Sequence, residues 1–189
     1  MRKFERVTSR IIPLALDNIN TDQIIPARFL TRTALDGWGN YLFADWKINA
    51  DFVLDQARLA GAGILLGGWN FGCGSSREHA AWSLRDFGIR AIVAPSFADI
   101  FRENAIKNGL LPATLEPRHY DELIAELSAN GDQMWTVDLP AQLLMAGKKA
   151  FPFEIDRFSK TCLMRGLDEL GYILDHDFAI NAHEVFTRM

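Results

Sequence analysis

The chain has 189 residues, 49% of them hydrophobic, and 20 Lys and Arg against 24 Asp and Glu give a formal charge of −4. This length and apolar content bury one substantial core, so residues 1–189 are expected to form a single domain. The acidic balance and the absence of any basic run exclude a nucleic-acid binder. No apolar stretch approaches the roughly 20 residues of a membrane helix, and the opening Met1-Arg2-Lys3-Phe4-Glu5-Arg6 is not a secretory leader, so a cytoplasmic protein is expected.

In chain order, residues 11–16 read as a short apolar strand, followed by the polar turn Asp17-Asn18-Ile19-Asn20-Thr21-Asp22. Residues 29–45 mix charges, aromatics and glycines and read as a loop. Its Trp38, with Trp46 just beyond, either offers an exposed apolar docking face or enters the core. A second strand is expected at 63–66, then a helix marked by Ala80, Leu84 and Phe87. A third strand covers 89–94. Ser96 reads as the N-cap of the next helix, whose face is Phe97, Ile100, Phe101 and Ala105 and whose end is Gly109. A strand at 110–115 and a helix carrying Tyr120, Leu123, Ile124 and Leu127 follow, stopped at Asn130-Gly131. Alternating segments at 135–139, 142–145 and 150–155 suggest an antiparallel appendage. Two helices close the chain, the last with Phe178, Ala182, Val185 and Phe186 on one side. Strand–helix alternation through the middle predicts an α/β fold with a mainly parallel central sheet, and a small antiparallel and helical C-terminal extension over about residues 132–189 packed on it.

The run Asn70-Phe71-Gly72-Cys73-Gly74-Ser75-Ser76-Arg77-Glu78-His79-Ala80 sits where the second strand turns into a helix. Unpaired N–H groups and the positive end of the helix dipole favour anions at such a turn. Arg77 adds a planar cationic fork suited to carboxylate, and Ser75 and Ser76 add hydroxyls. Ser75-x-x-Glu78 also fits a capping box, which closes a helix start without a ligand. A box alone needs neither the flanking glycines nor the arginine, and both readings can hold together.

Two cysteines, Cys73 and Cys162, stand far apart with no C-x-x-C and no histidine pair nearby, so the chain by itself cannot hold an iron–sulfur cluster or a structural zinc. Cys162 falls on an apolar stripe with Ile155, Phe158 and Leu163 and is expected to be a core thiol. Cys73 is either a small packing residue, the favoured reading, or a contact near a ligand. His79, two residues beyond Arg77 on a helix, points away from it and is read as structural. His119, His176 and His183 receive no chemistry.

Residues 72–79 resemble the active-site turn of the aconitase superfamily's swivelling domain. Asn20-Thr21-Asp22-Gln23-Ile24-Ile25-Pro26, Ala94-Pro95-Ser96-Phe97-Ala98-Asp99-Ile100-Phe101, Gly166-Leu167-Asp168-Glu169-Leu170-Gly171 and Asp175-His176-Asp177 narrow the resemblance to the small subunits of bacterial 3-isopropylmalate dehydratase. It extends over nearly the whole chain, in order. It implies a swivelling β/β/α domain that works as a heterodimer with a large subunit, on a small branched malate. The [4Fe–4S] cluster that acts as Lewis acid is then expected in that partner, and no cofactor in this chain.

The resemblance further implies that Ser75 is the base, acting as an alkoxide, and that Ser76, Arg77 and the backbone at Gly74 grip substrate carboxylates. Thr21 and Asp22 either line the site from the opposite side or form an ordinary Asx or ST turn. Arg28 and Arg32 either sort substrates or are solvated surface charges. Phe29 and Leu30 either receive an isopropyl group or belong to the core. Small subunits of homoaconitase and of citraconate or methylmalate dehydratases use the same turn, and a non-catalytic carboxylate-binding module is a further reading.

Overall fold

The computed structural model describes residues 1–31, 36–47, 54, 61–131, 133–178, 180 and 183. Among these, eight strands form one sheet: β1 (Arg6–Ser9), β2 (Ile11–Pro13), β3 (Ile64–Leu66), β4 (Ala91–Ala94), β5 (Leu111–Leu115), β6 (Trp135–Asp138), β7 (Leu143–Ala146) and β8 (Lys149–Glu154). Their order across the sheet is β1-β6-β7-β8-β5-β4-β3-β2. Strands β2 to β5 are parallel neighbours, whereas β8 pairs antiparallel with β5, and β7, β6 and β1 continue antiparallel from it. Arg10 alone separates β1 from β2, yet these two strands lie at opposite ends of the order. The sheet must therefore curl until its edges approach, which makes a near-barrel.

The helices are α1 (Thr21–Ile24), α2 (Glu78–Phe87), α3 (Asp99–Lys107), α4 (Pro117–Ala129), α5 (Arg157–Arg165) and α6 (Glu169–Asp175). Alternation along each parallel strand feeds two cores. Ile12, Leu65 and Ile92, in register across β2, β3 and β4, pack with Ala80, Leu84 and Phe87 of α2 and with Phe101 and Ala105 of α3. Their neighbours Ile11, Ile64, Leu66 and Val93 face the other side, with Tyr120, Leu123 and Leu127 of α4 and with Val137, Leu144 and Phe151 from the antiparallel strands. Buried on both faces, the parallel strands have no polar side to show, and each large aliphatic side chain contributes about 1.5–3 kcal/mol of transfer free energy.

The middle elements lie within a few residues of their expected places, but the sheet is mixed, not mainly parallel. An alternating segment reads the same whether it forms its own layer or extends a sheet. Here Leu115 lies opposite Phe153, so the expected appendage joins the central sheet. The sequence also concealed β1, whose polar residues Arg6 and Thr8 mask its pairing with β6. Ser96 is not an N-cap. Helix α3 starts at Asp99 after Ala98, and Ile100 is exposed instead of lying on the buried face. Trp38 enters the first core, with Trp46 partly buried against that core, so of the two readings of these tryptophans the core one holds. Phe178 is 88% exposed, and Ala182, Val185 and Phe186 lie outside the described residues. No helix among the described residues is long and apolar enough to cross a membrane.

Candidate active site

In an open parallel sheet the carboxyl ends of neighbouring strands, and the helix starts that follow them, converge on one edge. Three such segments meet here. The chain after β2 runs into α1, that after β3 carries the Gly72–Arg77 turn into α2, and that after β4 leads into α3. They are fastened to one another directly. Asn18 N–H bonds the Trp69 carbonyl at 2.8 Å, Gly72 N–H bonds the Ile19 carbonyl at 2.7 Å, and Thr21 N–H bonds the Cys73 carbonyl at 2.9 Å. On the other side Asn70 N–H donates to the Ser96 hydroxyl at 2.7 Å and Phe71 N–H to the Ser96 carbonyl at 3.1 Å. Ser96 therefore clamps the turn in place of capping a helix.

Gly72 and Gly74 have φ of 78° and 91°, in the left-handed region that L residues avoid. At Gly72 space is also missing, since a Cβ would stand 2.1 Å from Phe101 Cγ. The turn presents Gly74, Ser75 and Ser76 to solvent. Helix α2 begins at Glu78 with Arg77 at the N-cap and no side-chain bond there, so the capping box that Ser75-x-x-Glu78 also fits does not form. First-turn N–H groups without a side-chain cap are what the anion-binding reading requires.

The capping box lies elsewhere. Asn20 accepts from Gln23 N–H while the Gln23 side chain accepts from Asn20 N–H, each at 2.8 Å, and this starts α1. The helix brings Thr21 and Asp22 against the turn. Buried Thr21 donates its hydroxyl to the Ser75 carbonyl at 2.8 Å, bracing the backbone that carries the serine. Asp22 is ion-paired with Nη1 of Arg77, whose side chain is only 18% exposed against 51% for Asp22. Among the described residues no second partner engages that guanidinium.

Asn18 and Asn70 were given no role in the sequence reading. Both have φ of 55°, and Asn70 Nδ2 donates to Asn18 Oδ1 at 2.9 Å. Asparagine tolerates this conformation better than most residues, so an Asn flanking a tight turn was the available signal. Cys73 is half-buried, and its thiol lies 3.4 Å from the Asn18 carbonyl, a local packing bond. Cys162 is buried, which pushes its thiol pKa up, although Phe158, one helical turn earlier, is exposed. His79 has ring contacts at 4.7 Å with Trp38 and 4.6 Å with Trp82, and burial lowers its pKa, favouring the neutral ring.

The loop candidates are not all gathered in. Arg28 is exposed, paired with Asp45 and set 4.5 Å over the Phe29 ring. Phe29 and Leu30 pack partly buried against the first core. Arg32 lies outside the described residues.

A family model described as the aconitase C-terminal domain matches residues 1–118. The chain is 47% identical, over 191 aligned positions, to a protein of Chloroflexus aggregans named 3-isopropylmalate dehydratase small subunit, with 97% of this chain and 94% of the other covered. The protein of the same name from Chloroflexus aurantiacus is also 47% identical, with 97% and 95% covered. The chain belongs to the 3-isopropylmalate dehydratase small-subunit family. A solved 3-isopropylmalate dehydratase from Methanocaldococcus jannaschii shares the fold of this small-subunit family member, with a TM-score of 0.69 at 24% identity over 94% of this chain and 99% of that one.

Proposed function

We propose that this chain is the small subunit of a hydro-lyase that converts 2-isopropylmalate into 3-isopropylmalate, for leucine synthesis, in the cytoplasm. The observation that carries the reading is the exposed Ser75-Ser76-Arg77 turn, held at the helix start by Thr21 and Asp22. The reaction removes water across two neighbouring carbons and restores it in the opposite sense. A base must take a proton from a carbon beside a carboxylate, and a Lewis acid must accept the departing hydroxyl.

Ser75 is the base. The proton passes from carbon to Oγ and is returned in the hydration half. A serine is a hopeless base at neutral pH unless its anion is favoured, and this turn supplies glycine backbone, an uncapped helix start and Arg77 for that purpose. Ser76, the N–H of Gly74 and the free side of Arg77 hold the substrate carboxylates. Thr21 and Asp22 act one step back, Thr21 on the Ser75 carbonyl and Asp22 on the Arg77 fork. Arg32 is placed with the residues that sort substrates by side chain.

Two cysteines set apart, one buried and one bonded to Asn18, do not make the ligand set of a [4Fe–4S] cluster. That cluster, which would supply the Lewis acid, is therefore placed in a large subunit with which this chain forms a heterodimer. The test is reconstitution with that subunit. Ser75→Ala is expected to lower turnover by about 10²–10⁴-fold while leaving assembly intact. Near-normal turnover would refute the assignment, and failure of the unaltered chain to restore growth of a leucine auxotroph would refute the function. Assays of the same pair with homocitrate and citramalate-type acids identify a related dehydratase if one of them is preferred.

A further inference from the structure

The edge of the parallel half opposite the candidate site carries a second set of charged groups. Arg90 immediately precedes β4 and Gly109 lies two residues before β5, so both stand at the amino ends of their strands. With Gly88, which ends α2, and with residues near the start of the chain, they line a cavity of about 490 Å³, a volume within the range of small-molecule sites. The charged side chains around it are Arg2, Lys3, Arg6, Arg85 and Arg90 against Glu5 alone, in a chain whose formal charge is −4. Arg6 is paired with Asp138, and Arg85 with Asp86 at 3.3 Å and with the Asn108 side-chain oxygen at 3.3 Å. Asn108 in turn donates to Glu78 at 2.9 Å, and the neighbouring Lys107 reaches Glu169 at 3.4 Å. Asp138, Asp86, Glu78 and Glu169 are thus all engaged. Arg2, Lys3 and Arg90 remain, and among the described residues no carboxylate, Glu5 included, pairs with any of them.

Arg90 is the least free of the three. Its Nη2 donates to the Lys3 carbonyl at 3.2 Å, and its Cζ lies 5.5 Å from the centre of the Phe4 ring. Its Nε is buried with no partner, and its Nη1 makes no bond among the described residues. Burial lowers the Arg90 pKa, and the nearby charge of Arg2 lowers it further. A guanidinium stays charged at any physiological pH, so proton loss does not relieve this repulsion. An anion in the cavity does. Three cations against Glu5 leave a surplus of two charges, which one carboxylate cancels only by half. A phosphoryl group carries about −1.5 to −2 near neutral pH and offers three acceptor oxygens to guanidinium forks. The cavity is larger than that group, which leaves room for an organic remainder. We propose that this cavity binds a phosphate monoester, whose phosphoryl group is held by Arg2, Lys3 and Nη1 of Arg90. Arg85, fixed by Asn108 and Asp86, forms part of the wall.

The cavity lies at the far end of α2 from the Ser75–Arg77 turn, so its test needs neither turnover nor a partner subunit. Glycerol 3-phosphate is titrated into the full isotope-labelled chain while backbone amide shifts are followed by NMR, and malonate is titrated in parallel as the carboxylate probe. Saturable shifts are expected at Lys3, Arg90 and Gly109, with malonate binding about tenfold more weakly. Arg2→Gln and Arg90→Gln are each expected to raise the Kd for glycerol 3-phosphate about tenfold or more. Arg2 is exposed, so its replacement is compatible with folding and decides the matter if Arg90→Gln fails to fold. An unchanged Kd in Arg2→Gln, shifts confined to residues 74–78, or no saturable binding overturns the site. Malonate binding as tightly as glycerol 3-phosphate overturns its assignment to phosphate.

Discussion

The parallel and antiparallel halves of the sheet end in different ways. From β6 to β8 each strand returns through a tight turn, such as that at Leu139–Gln142, where Asp138 accepts from Ala141 N–H at 2.9 Å. Such turns close on themselves and leave no backbone group over. From β2 to β5 each strand needs a crossover, so three strand ends and three helix starts open side by side with N–H groups and polar side chains free to face one another. The candidate site lies on the second kind of edge, where Asp22 and Arg77, 55 residues apart in sequence, meet.

Glycine substitutions give the widest separation between the halves. Gly72→Ala meets both a left-handed φ and the Phe101 ring, and is expected to cost about 2–4 kcal/mol in chemical denaturation. Gly147→Ala, in the β7–β8 turn, has φ of 56° but nothing within 4 Å of the new Cβ, so about 1 kcal/mol is expected. Equal costs would mean that the turn is not held as rigidly as its neighbours suggest.

Next in size is Asp22→Asn. With the fork of Arg77 no longer held, KM for the malate is expected to rise about tenfold, with a smaller change in kcat. A fall in kcat with KM unchanged would instead make Asp22 a participant in the chemical step.

Acid separates the halves again. Burial lowers the His79 pKa, so its neutral form stabilises the fold at neutral pH, and this contribution declines as pH falls below about 6.5 toward the lowered value. The Asp138 carboxyl is lowered chiefly by the Ala141 N–H, and also by Arg6, against the opposing effect of its own burial. Its contribution is complete above about pH 4 and is lost only as pH drops further. Thermal melts should show two acid limbs, the upper one abolished by His79→Phe and the lower one by Asp138→Asn. Retention of the upper limb in His79→Phe would remove His79 from this account. The smallest effect is expected at Arg165, whose ion pair with Asp175 is largely exposed; Arg165→Ala should leave the melting temperature unchanged within error.

Legibility in the sequence followed the range of the interaction. The strand–helix rhythm from 63 to 129 was readable because apolar period is set within each element. The Ser75–Arg77 turn was readable because glycines, hydroxyls and an arginine at a strand–helix junction limit what such a turn can do. Asn20-x-x-Gln23 was equally local and was passed over as a polar turn. Ser96 was misplaced because a good N-cap residue is also a good clamp, and nothing in the residues around it reveals that Asn70 claims its hydroxyl.

By itself the chain of residues determined which groups are candidates for the chemistry, which segments alternate at strand or helix period, and that two cysteines cannot ligate a cluster. The tertiary structure alone decided that 135–154 extends the central sheet, that Trp38 lies inside, and that Thr21 and Asp22 brace Ser75 and Arg77. The reason is physical. Side-chain period depends on neighbours three or four residues away, whereas pairing at a sheet edge and contact between loops depend on which strands end up adjacent, and a local pattern is the same for every such choice.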